Sequence, residues 1–161
     1  MRAFVPIVLL TLSGCARVPP LANTYPSADS LAAEVLRALA AKDRDSLEAV
    51  ALSEPEFRHH VWQHLPAARP ERNVPLSYVW GDLHQKSEGM LTQGLARHGG
   101  RNYELVTVTF TGKTDYGAYR VHREATFAVR DAAGDTSALR VIGSMIEQDG
   151  AWKVFSYVVD E

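Results

Sequence analysis

The chain of 161 residues contains a single cysteine, Cys15. No disulfide bond can therefore form within the chain, so its stability must come from packing alone. Zinc sites built from several thiolates are excluded for the same reason. The sequence also lacks a serine nucleophile elbow, a phosphate-binding loop and a paired-carboxylate motif, and it indicates no cofactor.

A basic excess is missing as well, because 17 Lys and Arg residues stand against 19 Asp and Glu residues. Surfaces that bind nucleic acid or anionic lipid usually carry clustered positive charge. We therefore expect no nucleic-acid partner.

Long apolar runs are confined to residues 3–12, which follow Arg2. This run is too short to span a bilayer, which takes about 20 apolar residues. A positive residue, a short apolar run and then small residues are typical of a secretory signal. The run ends at Leu12-Ser13-Gly14-Cys15, which resembles a bacterial lipobox.

This resemblance implies that residues 1–14 are a cleaved signal peptide and that Cys15 becomes the first residue and carries lipid, such as palmitate. It places the protein in the cell envelope, held at the membrane by its lipid anchor. Ala16 stands where an aspartate holds lipoproteins at the inner membrane of Gram-negative bacteria, which favours the outer membrane, facing the periplasm. An ordinary cleaved signal, with Cys15 discarded or left free, is the alternative.

Residues 15–26 include three prolines and show no periodic pattern, so we expect the lipidated cysteine and a short linker there. Residues 27–161 are long enough for a single domain with a core of its own. Apolar residues at helical spacing dominate the first part of this domain. They predict helices over about residues 27–41, 44–52, 53–65 and 78–98, with a loop between the last two.

The last third of the chain alternates between apolar and polar residues, which is typical of strands. The predicted strands cover residues 103–111, 119–130, 138–147 and 152–159. Asp149 and Gly150 favour a tight hairpin between the last two. Helices first and strands afterwards predict an α+β fold, with N-terminal helices packed on a curved antiparallel sheet of about four main strands.

Two segments carry a family resemblance: Ala-Leu-Ala-Ala-Lys-Asp-Arg-Asp-Ser-Leu at residues 38–47 and the final hairpin at residues 146–154. Together with the element order they resemble the nuclear transport factor 2-like superfamily, which also holds polyketide-cyclase-like and ketosteroid-isomerase-like enzymes. The resemblance implies a cone in which helices close over a concave sheet and leave a cavity at the wide end.

Aromatic residues suggest a ligand pocket. Trp62, Tyr78, Trp80 and His84 are candidates to line it, although their spacing is also typical of plain core. Tyr78 and Asp82 stand four residues apart. In a ketosteroid-isomerase-like site, an aspartate takes a proton and a tyrosine supports the developing oxyanion.

Arg123 shares a predicted strand face with Val121, Ala125 and Phe127, and an arginine in an apolar row is costly unless it is paired. Three interpretations stay open. The guanidinium binds a ligand carboxylate in the pocket, pairs with Glu147 on a neighbouring strand, or reaches water at the rim.

His60 and His64 stand four residues apart on a predicted helix, a spacing that suits zinc or copper. A third ligand would have to come from loose candidates, namely Glu56, His84 or His98. We assign no metal site, because solvated or capping histidines explain the pair as well.

The two final strands are apolar on both faces, whereas one layer of helices covers only one face of a sheet. The other face needs a cover, since large apolar patches in water are unusual. A second copy of the sheet, giving a homodimer, would provide it. The alternative cover is the segment of residues 66–100.

These patterns predict a membrane-anchored domain that binds a small apolar ligand or an envelope protein partner without catalysis. The alternatives are a pocket enzyme of isomerase or cyclase type and a structural accessory subunit. The cavity lining separates them, since a carboxylate or imidazole beside a tyrosine indicates an enzyme and a filled core indicates an accessory role.

Overall fold

The computed structural model describes residues 18–160. The predicted signal peptide, residues 1–14, and the predicted lipidation site Cys15 lie outside the described residues. Within the described range, no helix is long and apolar enough to cross a membrane.

Capping side chains set the start of the first two helices. Helix α1 (Ala28–Ala41) begins after Ser27, whose hydroxyl accepts a hydrogen bond from the Ser30 backbone N–H. Helix α2 (Arg44–Ala49) begins after Asp43, whose carboxylate accepts one from Ser46. Both helices start where the sequence pattern predicts them.

The third predicted helix changes its winding along its length. It begins as a single turn, α3 (Glu54–Glu56), and continues as a π-helical turn (Phe57–Val61) and a 3-10 turn (Trp62–His64). The longest helix, α4 (Leu76–His98), follows after two further short 3-10 turns. The apolar pattern therefore locates the helical segments but not the change in winding.

Within residues 18–160, five strands form one antiparallel sheet: β1 (Glu104–Asp115), β2 (Arg120–Arg130), β3 (Thr136–Leu139), β4 (Ile142–Gln148) and β5 (Ala151–Tyr157). Their spatial order is β1-β2-β4-β5, and β3 pairs with the far end of β2. The predicted third strand is divided into β3 and β4, because the chain leaves the ladder at Arg140 and Val141. The α+β prediction is confirmed, and the arrangement agrees with a cone-like shape.

One face of the sheet packs against α1. Leu31 and Val35 of α1 are fully buried and share a core with Phe127, Met145 and Val154 of the sheet. Met145 and Val154 are opposite each other in the β4–β5 register, so they lie on the same side.

The other face of the sheet is covered by the same chain. Ile146 and Phe155 lie on this side, where they pack with Leu52, Phe57 and Val61 and with the first half of α4. Both faces of the final strands are therefore covered within one copy. The first half of α4 belongs to the segment of residues 66–100, which was the alternative to a second copy as the cover, and the homodimer stays a prediction.

Part of the predicted linker packs on the domain. Leu21 is buried, and Tyr25 exchanges two backbone hydrogen bonds with Trp152 at the outer edge of β5. Further along this edge, Val154 bonds the backbone of Val50 and Leu52. These bonds cover a sheet edge that would otherwise be open to pairing with other chains. Residues 21–25 of the predicted linker therefore pack against the predicted domain.

A buried ion pair joins this segment to the sheet. Lys153 of β5 is 2% exposed, and its ammonium group donates to Glu56 Oε1 at 3.0 Å and to the Ala22 carbonyl at 2.7 Å. The Glu56 carboxylate also accepts hydrogen bonds from the backbone N–H groups of Ser53 and Ala22. One pair therefore fixes β5, the start of α3 and the N-terminal segment together.

Candidate functional site

A cleft of about 350 Å³ opens between the α2–α3 connection, α4 and β5. Its walls are largely apolar. The apolar lining residues are Ala51, Leu52, Trp80, Leu83, Leu91, Phe155 and Tyr157, and the polar ones are Glu48, Ser53, Glu54, His84, Ser87 and Glu88.

Helical spacing brings one face of α4 to the cleft, since Trp80, His84, Ser87 and Leu91 recur every three or four residues. The Trp80 indole packs against Phe57 of the core, with ring centroids 5.3 Å apart. The His84 imidazole stacks on the same indole at 5.2 Å, with the two planes 14° apart. These contacts hold the indole as a fixed apolar wall.

Tyr157 contributes to the floor of the cleft. Its backbone N–H donates to the Ser87 hydroxyl at 3.0 Å, which ties β5 to α4. Its buried phenol donates to the Leu47 carbonyl at 2.6 Å. Burial, together with the negative charges of Glu48 and Glu88, raises the pKa of the Tyr157 phenol far above its ordinary value. The phenol is therefore neutral at physiological pH and is already engaged within the protein.

Three glutamates line the rim of the cleft. Arg44 bridges two of them, with its Nε 2.5 Å from Glu48 Oε1 and its Nη2 2.7 Å from Glu88 Oε2. Arg58 lies 2.6 Å from the third, Glu54. Neither arginine lines the cleft, so carboxylates are the permanently charged groups among the described residues of its wall. The three carboxylates outnumber the two paired guanidinium groups by one, so the rim is expected to disfavour an anionic ligand, and salt should screen this effect.

The structure brings only two of the five predicted pocket residues to the cleft, Trp80 and His84. Trp62 packs beside the site, with its ring centroid 6.4 Å from that of Phe57, but does not line it. Tyr78 is 71% exposed on α4. Its proposed partner Asp82 is also exposed and pairs with Lys86 at 2.8 Å, so the Tyr78 and Asp82 pair lies outside the cleft.

Arg123, the fifth predicted pocket residue, is exposed and lies away from the cleft. Its guanidinium lies over Gly112, where a Cβ would come within 2.8 Å of Nη2. The residue next to it, Glu124, has a φ of +54°, which interrupts the strand alternation. As a result Val121 and Ala125 belong to different core clusters, and the apolar row expected around Arg123 does not form.

Of the three interpretations left open for Arg123, its exposure agrees with a guanidinium that reaches water, and the pairing with Glu147 is not present. Strand register places Ser144 opposite Arg123 and places Glu147 opposite Arg120. Glu147 instead lies 2.8 Å from His122 Nε2 and 3.3 Å from Arg120 Nη1.

The two histidines considered for metal binding have separate neighbours. His60 Nε2 lies 2.8 Å from the Pro19 carbonyl, and the His64 ring packs edge-on against Tyr119. Among residues 18–160, no group of three His, Cys, Asp or Glu side chains is placed to hold a metal ion. The third-ligand candidates lie in other contacts: Glu56 with Lys153, His84 on Trp80, and His98 near Tyr103.

Sequence reasoning missed the acidic rim and the strand that forms the floor. Helical periodicity in α4 would have extended the pocket from Trp80 and His84 to Ser87 and Leu91. No local pattern connects Glu48 or Glu54 with α4, since tertiary packing alone brings them together.

Comparisons with known proteins add no information on this site. No protein-family model, curated protein or solved structure matches the chain.

Proposed function

We propose that this protein is a lipid-anchored lipoprotein of the cell envelope whose domain binds a small apolar ligand in the cleft between α4 and β5. The observation that carries the proposal is the cleft, with about 350 Å³ of space and a wall of aromatic and aliphatic side chains. A concave, mostly apolar site of this size with a few polar groups is typical of small-molecule binding.

The anchor rests on the Leu12-Ser13-Gly14-Cys15 segment that follows a short apolar run. The order of helices followed by an antiparallel sheet supports the resemblance to the nuclear transport factor 2-like superfamily. In that arrangement a cavity between helices and sheet is the expected place for a ligand.

Binding without catalysis agrees with the polar groups of the cleft. The Tyr157 hydroxyl donates to Leu47, and its raised pKa keeps the proton on the phenol. The Tyr78 and Asp82 pair that an isomerase-type mechanism would use lies outside the cleft. The lining also holds three glutamates and an imidazole in the same cleft as this tyrosine. Because the tyrosine hydroxyl is already engaged within the protein, we propose that these polar groups shape the cleft rather than act as an acid–base pair with it.

The rim adds a charge preference. The three carboxylates of Glu48, Glu54 and Glu88 outnumber the two guanidinium groups that pair with them by one, so an anionic group would approach a rim with one excess negative charge. We expect neutral or cationic apolar ligands to bind more tightly than anionic ones of the same shape.

Two fluorescent probes with the same aromatic body test both statements. Neutral N-phenylnaphthylamine and anionic anilinonaphthalene sulfonate are titrated into the mature chain carrying Cys15→Ser, which needs no detergent. The neutral probe should bind and the sulfonate should bind more weakly, with the difference shrinking at high salt. Absence of binding by the neutral probe contradicts the proposal.

A cleft-filling variant locates the binding. Ala51 lines the cleft, so Ala51→Leu should weaken probe affinity by at least about tenfold, or about 1.4 kcal/mol. Ala133→Leu, in an exposed turn, makes the same chemical change and is the matched control. Equal affinity in both variants would show that the probe binds elsewhere.

A further inference from the structure

The N-terminal segment is fixed to one end of the sheet. Leu21 is buried, and the Ala22 backbone bonds both members of the buried pair of Glu56 and Lys153. The backbone of Tyr25 forms a β-bridge with that of Trp152, the second residue of β5. Upstream of these contacts, the Pro19 carbonyl lies 2.8 Å from His60 Nε2. The N-terminal end of the described chain is therefore held on the domain at Pro19, which we call the exit point.

The distance from this exit point to the predicted anchor is short. Cys15 precedes Pro19 by four residues, and a chain of four residues spans at most about 14 Å whatever its conformation. A domain of this size is much wider than that span, so an anchor at Cys15 restricts which surface can face the bilayer.

The surface around the exit point is formed by one end of the sheet. A groove there is lined by Val18, Pro20 and His60, by Asp149 of the β4–β5 turn and by Ala151 at the start of β5. The β1–β2 turn adjoins it, since Gln148 Nε2 donates to the Ala118 carbonyl. The β2–β3 turn, residues 131–135, lies at the opposite end of β2.

We infer that the anchored domain is oriented on the membrane, with the β1–β2 and β4–β5 turns and the groove at Val18 against the bilayer surface and the β2–β3 turn pointing away from it. The inference rests on the proposed lipid anchor. The ligand cleft lies further from the bilayer than the groove, because Ala151 lines the groove whereas Phe155 and Tyr157 line the cleft.

The tether, rather than charge, holds this face at the membrane. Asp115, Glu147 and Asp149 lie at this end beside Arg120, so the surface is not basic. The orientation should therefore be the same on zwitterionic and anionic membranes.

Energy transfer from two labelled positions to the bilayer tests the orientation. Ala118→Cys and Ala133→Cys make the same change in exposed turns at opposite ends of β2. The eleven residues of β2 separate the turns by roughly 30 Å at about 3.3 Å per residue. Each lipidated mature variant is labelled with a maleimide dye, which reacts only with the new thiol because lipid blocks the Cys15 thiol. The acceptor is a headgroup-labelled lipid in phosphatidylcholine vesicles.

Transfer should be at least about twofold more efficient from position 118 than from position 133, given a separation of roughly 30 Å. Inserting twelve Gly and Ser residues between Ala16 and Arg17 should bring the two efficiencies together, because the longer tether releases the orientation. Equal or reversed energy-transfer efficiencies in membrane-bound protein without the insertion would overturn the proposed orientation. That result would not contradict the lipid anchor. Failure of the unaltered protein to stay with washed vesicles overturns the anchor, and the inference falls with it.

Discussion

Replacing Lys153 with methionine removes one charge from the buried pair and leaves most of the packing volume. In the unaltered protein the ammonium group bonds Glu56 Oε1 and the Ala22 carbonyl, and the lysine is 2% exposed. The variant leaves the Glu56 carboxylate buried without its counter-ion. We expect Lys153→Met to destabilise the domain and to loosen residues 21–25.

The size of the effect follows from the bonds that remain. Removing one partner of a buried ion pair costs about 3–5 kcal/mol. Glu56 keeps hydrogen bonds from the Ser53 backbone, the Ser53 hydroxyl and the Ala22 backbone, which continue to stabilise its charge. The cost should therefore lie at the lower end, about 3 kcal/mol, which is a large part of the 5–15 kcal/mol that typically stabilises a domain of roughly this size.

Urea unfolding of the mature Cys15→Ser chain, followed by tryptophan fluorescence, measures this cost. Lys113→Met, on an exposed part of β1, is the matched control and should change the free energy of unfolding by less than about 0.5 kcal/mol. Adding Glu56→Gln to Lys153→Met should recover part of the loss, since the second substitution removes the unpaired charge. A loss below about 1 kcal/mol for Lys153→Met would refute the claim that this pair fixes the N-terminal segment.

Three further predictions concern pH, the cleft floor and the anchor. Burial raises the pKa of the Glu56 carboxyl, but hydrogen bonds from Ser53, Ala22 and Lys153 outweigh burial and hold the pKa below its ordinary value of 4.5. The stability that the Glu56 carboxylate adds is therefore present above about pH 4.5 and is lost as the pH falls through the lower pKa of the folded state. In Glu56→Gln, the free energy of unfolding measured with urea should therefore fall less steeply as the pH is lowered. Tyr157→Phe removes the buried hydrogen bond to Leu47 and should lower the free energy of unfolding by about 1–3 kcal/mol. Binding of the neutral probe should be retained. A variant as stable as the unaltered protein would contradict the assigned hydrogen bond. Expressed with its own signal, Cys15→Ala should leave the membrane fraction on washing, and retention equal to that of the unaltered protein would exclude the lipid anchor.

The order of helices and strands could be predicted because local sequence patterns determine it. Ser27 and Asp43 cap helices that start where they are expected, and Asp149 and Gly150 form the tight turn between β4 and β5. Helical periodicity depends on residues three or four apart and strand periodicity on residues two apart, so both are visible without any knowledge of tertiary contacts.

The candidate site could be predicted only where it follows one helix. Trp80 and His84 reach the cleft on one face of α4, as their spacing suggested, whereas Tyr78 and Asp82 lie on its exposed side. Arg123 was expected in an apolar row, but it is exposed, next to a positive φ at Glu124 that interrupts the strand alternation. No periodic pattern in the sequence reports such a backbone feature.

The sequence by itself determined the short apolar run before Cys15, the absence of disulfides, and the division into helices followed by strands. Tertiary structure alone decided which parts of the chain cover the two faces of the sheet. It placed residues 52–65 and the first half of α4 on the side for which a second copy and the segment of residues 66–100 had been the alternative covers. It also joined Lys153 to Glu56 across 97 residues of chain. Local propensity is set by neighbours in the sequence, whereas these contacts depend on how whole elements pack. A buried charge or an apolar strand face meets its partner only in the folded molecule.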